Sequence, residues 1–274
     1  MAFARISRRW LRTTVFAAVV TAVAACSFGS GAADPGPWWH PEKGLTWQWQ
    51  LHNEPVDTSV NAQVYDIDLF ENPASTVKTL HDQGRKVICY MSGGSWEPYR
   101  PDAGDFPDSV KSGPVPEWED ERWLDIKQID VLKPLMARRM DLCKQKGFDG
   151  VEPDWADLHN QDTADLTITA ADQLAYNRML AGLAHDRGLA IGLKNDLDQV
   201  STLAGLFDFS VNEQCFEDRA DRACEKLTPF IAANKPVFHA EYNLKPADFC
   251  ADSARLGLSS IRKNRALDAW RETC

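Results

Sequence analysis

Four signatures are missing from this sequence, and each absence removes a reaction class. There is no GxxxxGK[ST] loop for a triphosphate, no GxGxxG turn for a dinucleotide, no GxSxG elbow for a serine nucleophile and no HExxH helix for zinc. Histidine is scarce, with six in 274 residues, and no HxH pair follows the first strand-like segment. A metal-dependent barrel hydrolase therefore has little support. None of the seven cysteines stands in a CxxC pair, which argues against a thiolate metal site. Basic residues are in the minority, 30 against 40 acids, so nucleic acid is a poor partner and a cationic ligand a better one. Internal repeats are absent as well.

What is present begins with a targeting segment. "RISRRWLRTTVFAAVVTAVAAC" is a basic stretch, an apolar run and then small residues, the pattern of an export signal. Its run from Val15 to Ala25 is too short to span a bilayer. Val23-Ala24-Ala25-Cys26 resembles a bacterial lipobox, in which Cys26 is lipidated; the alternative is an ordinary cysteine beside a simple cleavage site. "SRRWLR" loosely resembles a twin-arginine signal, so the export route stays open. Residues 26–40 contain "SFGSGAADPGP", a Gly/Pro-rich tether. The expected organisation is thus a signal over 1–25, a tether over 26–40 and one domain over 41–274, at the cell surface or outside the cell. Removing the signal takes away Arg5, Arg8, Arg9 and Arg12 and no acid, which moves the formal charge from −10 to −14. It leaves 249 residues, 274 less 25, and six cysteines, an even number that suits disulfides in an exported protein.

Short strand-like runs alternate with helical periodicity along this domain. The strand candidates are Thr46–Leu51, Val64–Leu69, Lys86–Met91, Gly150–Trp155, Ala190–Lys194, Phe207–Asn212, Pro236–Glu241 and Leu258–Arg262. In "VLKPLMARRMDLCKQKG", Leu132, Leu135, Met136, Met140 and Cys143 share one helical face and Gly147 ends the helix. "ADQLAYNRMLAGLAHDRG" behaves likewise, with Gly188 as its stop. Eight strands with intervening helices predict an α/β fold of the (β/α)8 barrel type, a TIM barrel, with its chemistry at the C-terminal strand ends. A doubly wound open sheet is the alternative.

The segment "FDGVEPDWADLH" crowds Asp149, Glu152, Asp154 and Asp157 into nine residues among apolar neighbours. Strand alternation puts Glu152 and Asp154 on one face, with Asp154 at the strand end and Asp149 as a turn or cap residue. Pro153 cannot donate to a ladder and is tolerated only near that end. Other strand ends are polar too: Asp66 and Asp68, Tyr90, Lys194 with Asn195 and Asp196, Asn212 and Glu213, Glu241 and Tyr242. With Trp49 and Trp155 they form a candidate substrate rim. The longest connection, about Gly93 to Asp130, carries Trp96, Tyr99, Trp118 and Trp123. These residues can stack on sugars or pack the loop internally. An Asp/Glu-only cation site at the rim is a further alternative, but carboxylates alone suffice for glycoside hydrolysis, where one protonates the leaving oxygen and another attacks or activates water.

The motifs "WQWQL", "VYDIDLF", "GRKVICYMSGGSWEPYRPD", "ERWLDIK", "KGFDGVEPDWAD", "GLKND", "FDFSVNEQCFE", "KPVFHAEY" and "LDAWR" resemble, in order from Trp47 to Trp270, glycoside hydrolase family 114. The resemblance implies a barrel acting as a retaining endo-α-1,4-polygalactosaminidase without cofactor or metal, on a cationic amino-polysaccharide. Its carboxylate pair matches Asp154 and Glu213. One departure is "EPDW" where "DPDN" is expected, which bears on substrate preference through Glu152 and Trp155. We expect Asp154 to be the nucleophile, held ionised by Lys194, and Glu213 the acid/base, glutamate being the weaker acid and Val211, Cys215 and Phe216 offering it an apolar setting. The expected disulfides are Cys89–Cys143, Cys215–Cys224 and Cys250–Cys274, one connectivity among fifteen. A monomer is expected. A non-catalytic polysaccharide-binding barrel and a hydrolase of another α-linked amino-polysaccharide are the rival readings.

Overall fold

In the computed structural model, the described residues are 1–2, 36–52, 55–163, 165–217 and 222–274. The signal segment beyond Ala2, Cys26 and most of the tether lie outside them. No helix among the described residues is long and apolar enough to cross a membrane.

Eight parallel strands build the sheet, in the order in which they occur in the chain: β1 Trp47–Gln50, β2 Val64–Asp68, β3 Lys86–Ser92, then β7 Gly150–Asp154, β8 Ala190–Lys194, β9 Phe209–Glu213, β10 Val237–Glu241 and β11 Ser259–Lys263. Between β3 and β7 the chain makes a separate antiparallel sheet of β4 Ser95–Trp96, β5 Lys111–Val115 and β6 Trp118–Leu124. The helices are α1 Ala74–Asp82, α2 Ile129–Lys146, α3 Ala170–His185, the single turn α4 Val200–Leu203, α5 Thr228–Ala232 and α6 Pro246–Leu256. The nearly closed sheet and its helices make a TIM-type barrel. All eight expected strands are present, within two residues of their expected bounds. The expected plain loop after β3 is instead the three-stranded sheet.

Alternation explains the layers. Tyr65, Ile67, Cys89, Met91, Val151, Ile191 and Leu193 point outward into the core under the helices, while Trp47, Trp49, Val64, Ile88, Phe209, Val211, Phe238 and Ile261 fill the lumen. Helix α2 presents Leu132, Leu135, Met136, Met140 and Cys143 to the outer core and ends at Gly147, whose φ of 94° suits glycine. Thr169 starts α3 through a capping box with Asp172. Gly192 is bare for a packing reason: a Cβ there would fall 2.2 Å from the Phe209 ring.

Two features depart from an ideal eightfold barrel. No helix separates β1 from β2, and after β11 the chain turns back as β12 Arg271–Thr273, antiparallel to β11. Side chains and loop backbone then bridge the seam to β1. Trp47 Nε1 donates to Ser259 O at 2.8 Å, Leu51 N donates to Leu267 O at 3.0 Å, and the Arg271 guanidinium donates to Trp47 O and, at 2.7 Å, to Asn61 O. Lys263, buried in the lumen, donates to Asp268 O and Trp270 O at 2.6 and 2.8 Å.

Three disulfides fasten the layers: Cys89–Cys143 joins β3 to α2, Cys215–Cys224 closes the loop after β9, and Cys250–Cys274 ties α6 to the chain end beyond β12. They are the three expected pairs. Replacing both Cys89 and Cys143 by alanine, which opens a link across 54 residues, should cost about 2–4 kcal/mol of stability. Denaturant unfolding would measure it, and an unchanged midpoint would refute the stabilising role.

Candidate active site

The parity that builds the core also decides which strand-end side chains meet. From β3, β7, β8 and β9, Tyr90, Asp154, Lys194 and Glu213 point into the barrel mouth, and Tyr242 joins them just past β10. The buried Lys194 ammonium sits between the two carboxylates, 2.6 Å from Asp154 Oδ1 and 2.8 Å from Glu213 Oε2. The sum of those contacts bounds the separation of the two oxygens at 5.4 Å. Asp154 accepts two further hydrogen bonds, from Tyr90 OH at 2.9 Å and Trp155 N at 2.8 Å. Glu213 accepts one more, a short bond from Tyr242 OH. Burial opposes the charged ammonium, but Asp154, Glu213 and Glu152 outweigh it and push Lys194 well above its ordinary range. Burial, followed by Asp154, pushes the Tyr90 hydroxyl up; burial, followed by Glu213, does the same for Tyr242. Both phenols therefore stay protonated as donors.

The backbone is strained where these groups are presented. Trp155, Asn195 and Gln214 directly follow Asp154, Lys194 and Glu213, and all three have positive φ, at 60°, 52° and 59°. None is glycine, so each left-handed turn costs about 1 kcal/mol. The strain ends three neighbouring strands at the same level and turns the chain away from the mouth.

Below the mouth lies a second pair of acids. Asp66 and Glu152 both lie in the lumen, fully buried and close enough for each charge to act on the other. Trp49 packs beside them, its ring 5.4 Å from the Lys194 ammonium. Asp157, just beyond β7, is close enough for Lys194 and Glu213 to act on it; its Oδ2 accepts from Gln161 at 3.1 Å. Trp155 is half-buried and meets Trp123 edge-on, with ring centroids 4.7 Å apart.

Other expected rim residues are not brought to the mouth. Asp68 is buried and fully engaged, accepting from Phe70 N and Glu71 N and pairing with Arg100 at 2.7 Å. Asn212 and Glu241 have the opposite parity to Glu213 and Tyr242. Glu241 accordingly turns under α6, where it accepts from Phe216 N and pairs with His239. Asp196 is buried against α3, where Asn177 donates to it at 2.9 Å. Asn195 is a bracket, accepting from Glu213 N at 3.0 Å and from Asn212 Nδ2 at 3.2 Å. The apolar setting expected for Glu213 is also different: Phe216 packs outward on His239 and Phe249, leaving polar Lys194 and Tyr242 beside the carboxylate. The cluster of Cys215, Cys224 and His239 has metal-type ligand atoms, but its cysteines are joined in a disulfide. Asp149, expected as a turn or cap residue, accepts from Val87 N, Lys86 and His81 at the foot of β7.

Sequence reading missed the contribution of the small sheet. Glu121 of β6 accepts from Ser95 Oγ at 2.7 Å and Tyr99 OH at 2.8 Å, close enough to Asp154 to feel its charge. Arg100 clamps Asp68 and Glu97, and Arg139 of α2 pairs with Asp102 at 2.7 Å while reaching toward Glu97. The only hint was the acid-rich "WEDERW" inside an unusually long connection.

Burial leaves a mark on stability. It is the largest cause that pushes Asp157 up to about 6, Asp66 and Glu97 to about 7 and Asp196 to about 8. A carboxyl raised in the folded state contributes stability below its unfolded pKa of about 4 and loses it as pH rises through the folded value. The thermal midpoint should therefore fall from about pH 5 to pH 8, read by circular dichroism melts. A midpoint that rises across that window would contradict these buried acids.

No curated protein matches the sequence. Among solved structures, that of Aspergillus fumigatus Ega3 in complex with galactosamine shares 37% identity and a TM-score of 0.80, covering 86% of this chain and 97% of that one. The glycoside hydrolase domain of PelA from Pseudomonas aeruginosa shares the fold at 14% identity and a TM-score of 0.65, over 83% of this chain and 98% of that one. So does TtGalA, the alpha-galactosidase of Thermus thermophilus, at 14% identity and a TM-score of 0.55, over 82% of this chain and 59% of that one. The family model for glycoside-hydrolase family GH114 matches residues 30–274. A carboxylate pair around a buried lysine at the mouth of a TIM barrel thus belongs, in this chain, to a glycoside hydrolase of family GH114.

Proposed function

We propose that this glycoside hydrolase is an exported retaining endo-glycosidase that cleaves α-1,4-linked galactosamine polymers, with Asp154 as nucleophile and Glu213 as acid/base. The observation that carries the reading is the Lys194 bridge. It holds one oxygen of each carboxylate at most 5.4 Å from one oxygen of the other, which supports the close spacing of retaining enzymes, roughly 5–5.5 Å between carboxyl groups, over the roughly 6.5–9.5 Å of inverting ones. The assignment of roles follows the donors. Asp154 accepts from three, Lys194, Tyr90 and Trp155 N, and is the more fully hydrogen-bonded and more firmly positioned of the two. Glu213 accepts from two and is somewhat more exposed, its side chain 23% accessible against 15%, which suits a group that must pass a proton to the leaving oxygen and later take one from water. The carboxylate of Asp154 attacks the anomeric carbon as Glu213 protonates the departing oxygen; Glu213 then deprotonates the water that frees the sugar from Asp154.

The substrate class rests on three supports. Ega3, at 37% identity, was solved with galactosamine. A mature charge of −14 attracts a polyamine sugar. Asp157 and Glu121, near the mouth, add acidic groups that favour a cationic sugar. Three disulfides support a location outside the cytoplasm, and the Val-Ala-Ala-Cys sequence supports lipidation at Cys26.

Asp154→Ala and Glu213→Ala should each lower turnover of deacetylated galactosaminogalactan by at least about 100-fold. Azide should partly rescue one of them, and the first-formed product should keep the α configuration by proton NMR. Near-normal turnover in either variant removes that residue from the mechanism, and an inverted product removes retention. For the anchor, the full-length protein should enter the detergent phase on phase separation and Cys26→Ser should abolish this; wild type found only in the aqueous phase refutes it.

A further inference from the structure

The long connection after β3 carries four large aromatic side chains of two kinds. Trp123 is buried and Trp96 half-buried, its indole N–H donating to Ala103 O at 3.0 Å, so both serve packing. Trp118 and Tyr99 are instead more than half exposed, at 57% and 58%. Tyr99 is also held in place. Its hydroxyl donates to Glu121 Oε1 at 2.8 Å, and the Arg100 guanidinium lies against its ring, 5.2 Å from the centroid. Arg100 is itself fixed by Asp68 and Glu97.

A line of hydrogen bonds ties this ring to the end of the barrel that carries the carboxylate pair. Ser92 lies opposite Asp154 in the register of β3 with β7. Its Oγ is 2.7 Å from Ser95 Oγ, which donates to Glu121 Oε2 at 2.7 Å. Glu121 thus joins a residue beside Asp154 to an exposed aromatic ring. It is only 7% exposed. Among the described residues its donors are two hydroxyls, and no cation lies within ion-pair distance; Arg100 acts on it only from farther away. Burial pushes its carboxyl up, and a cation brought by a ligand would offset that.

We propose that Tyr99 and Glu121 form a sugar subsite adjoining the carboxylate pair, in which the Tyr99 ring carries the C–H face of a galactosamine unit and Glu121 receives its ammonium. The inference rests on the reading of this protein as a hydrolase of galactosamine polymers, and it assigns residues that hold the chain beyond the bond being cleaved. A flat aromatic ring suits the apolar face of a pyranose. The hydroxyl bond to Glu121 and the contact with Arg100 fix that ring before the ligand arrives, so little side-chain freedom is lost on binding. The charge argument points the same way. Asp154 and Glu213 already share the Lys194 ammonium, whereas Glu121 has only hydroxyl partners and gains a cation from the sugar.

The test compares Tyr99→Ala, Tyr99→Phe and Glu121→Gln with the wild type on deacetylated galactosaminogalactan. Tyr99→Ala should raise KM about fivefold, the size of a lost stacking contact, with kcat within about twofold, as when binding is lost equally from ground and transition states. Tyr99→Phe keeps the ring and should stay within about twofold of the wild-type KM. Glu121→Gln keeps the shape and removes the charge; it should raise KM at least about fivefold, again with little change in kcat. A merely structural role would lower kcat or the thermal midpoint without this split, and that result overturns the proposal. So does a Tyr99→Phe variant as impaired as Tyr99→Ala, or an unchanged KM in Glu121→Gln, which decides the matter alone if Tyr99→Ala does not fold. If the wild type hydrolyses the polymer and the three variants match it, the subsite falls and the substrate reading stands. A wild type that leaves the polymer intact removes the substrate reading and the subsite with it.

Discussion

One ammonium group organises this molecule. Lys194 reaches the barrel mouth from β8, between β7 and β9, and binds the carboxylates that those two neighbours present. A lysine buried this deeply is unfavourable alone and is tolerated because several carboxyl charges surround it. The dependence is mutual. Without Lys194, Asp154 and Glu213 would face each other across a short gap with no cation between them, and the geometry of the pair would be lost.

The rest of the barrel is arranged to sustain this polar mouth. Its lower lumen is closed by Trp47, Phe209 and Phe238, whose aromatic contacts run across three strands. Full burial of each such side chain contributes roughly 1.5–3 kcal/mol, enough to offset the strain of the three left-handed residues above. Gly192 is bare so that Phe209 can occupy the space, directly below the residue that carries the ammonium. Stability is concentrated at the bottom and chemistry at the top, as the direction of the strands requires.

The small antiparallel sheet adds a wall of a different kind. It is attached both by Val115, Trp123 and Leu124, which pack into the outer core, and by ion pairs in its connecting loop, Arg100 with Asp68 and Glu97 and Arg139 with Asp102. Trp123 from that sheet meets Trp155, which immediately follows Asp154. The excursion thereby sets the shape of the cleft next to Asp154, in the place where "EPDW" departs from the expected motif.

Much of this was legible in the chain. Eight apolar runs with a two-residue period, separated by segments with a helical face, specify a parallel barrel because each local pattern buries only one way. The position of Asp154, Lys194 and Glu213 at successive strand ends was equally readable, since it depends on counting along strands. The face of each strand end was not settled when adjacent residues were both polar: Asn212 and Glu241 had the right position and the wrong parity, which only the packing of α6 against Phe216 and His239 reveals. Asp68 was placed on the candidate substrate rim because its partner, Arg100, is 32 positions away in a segment without regular periodicity. The closeness of Asp66 and Glu152 was hidden for a similar reason. Sequence fixes which way a side chain leaves its own strand, but which side chains meet across the lumen depends on the stagger between strands, and that is decided when the sheet closes.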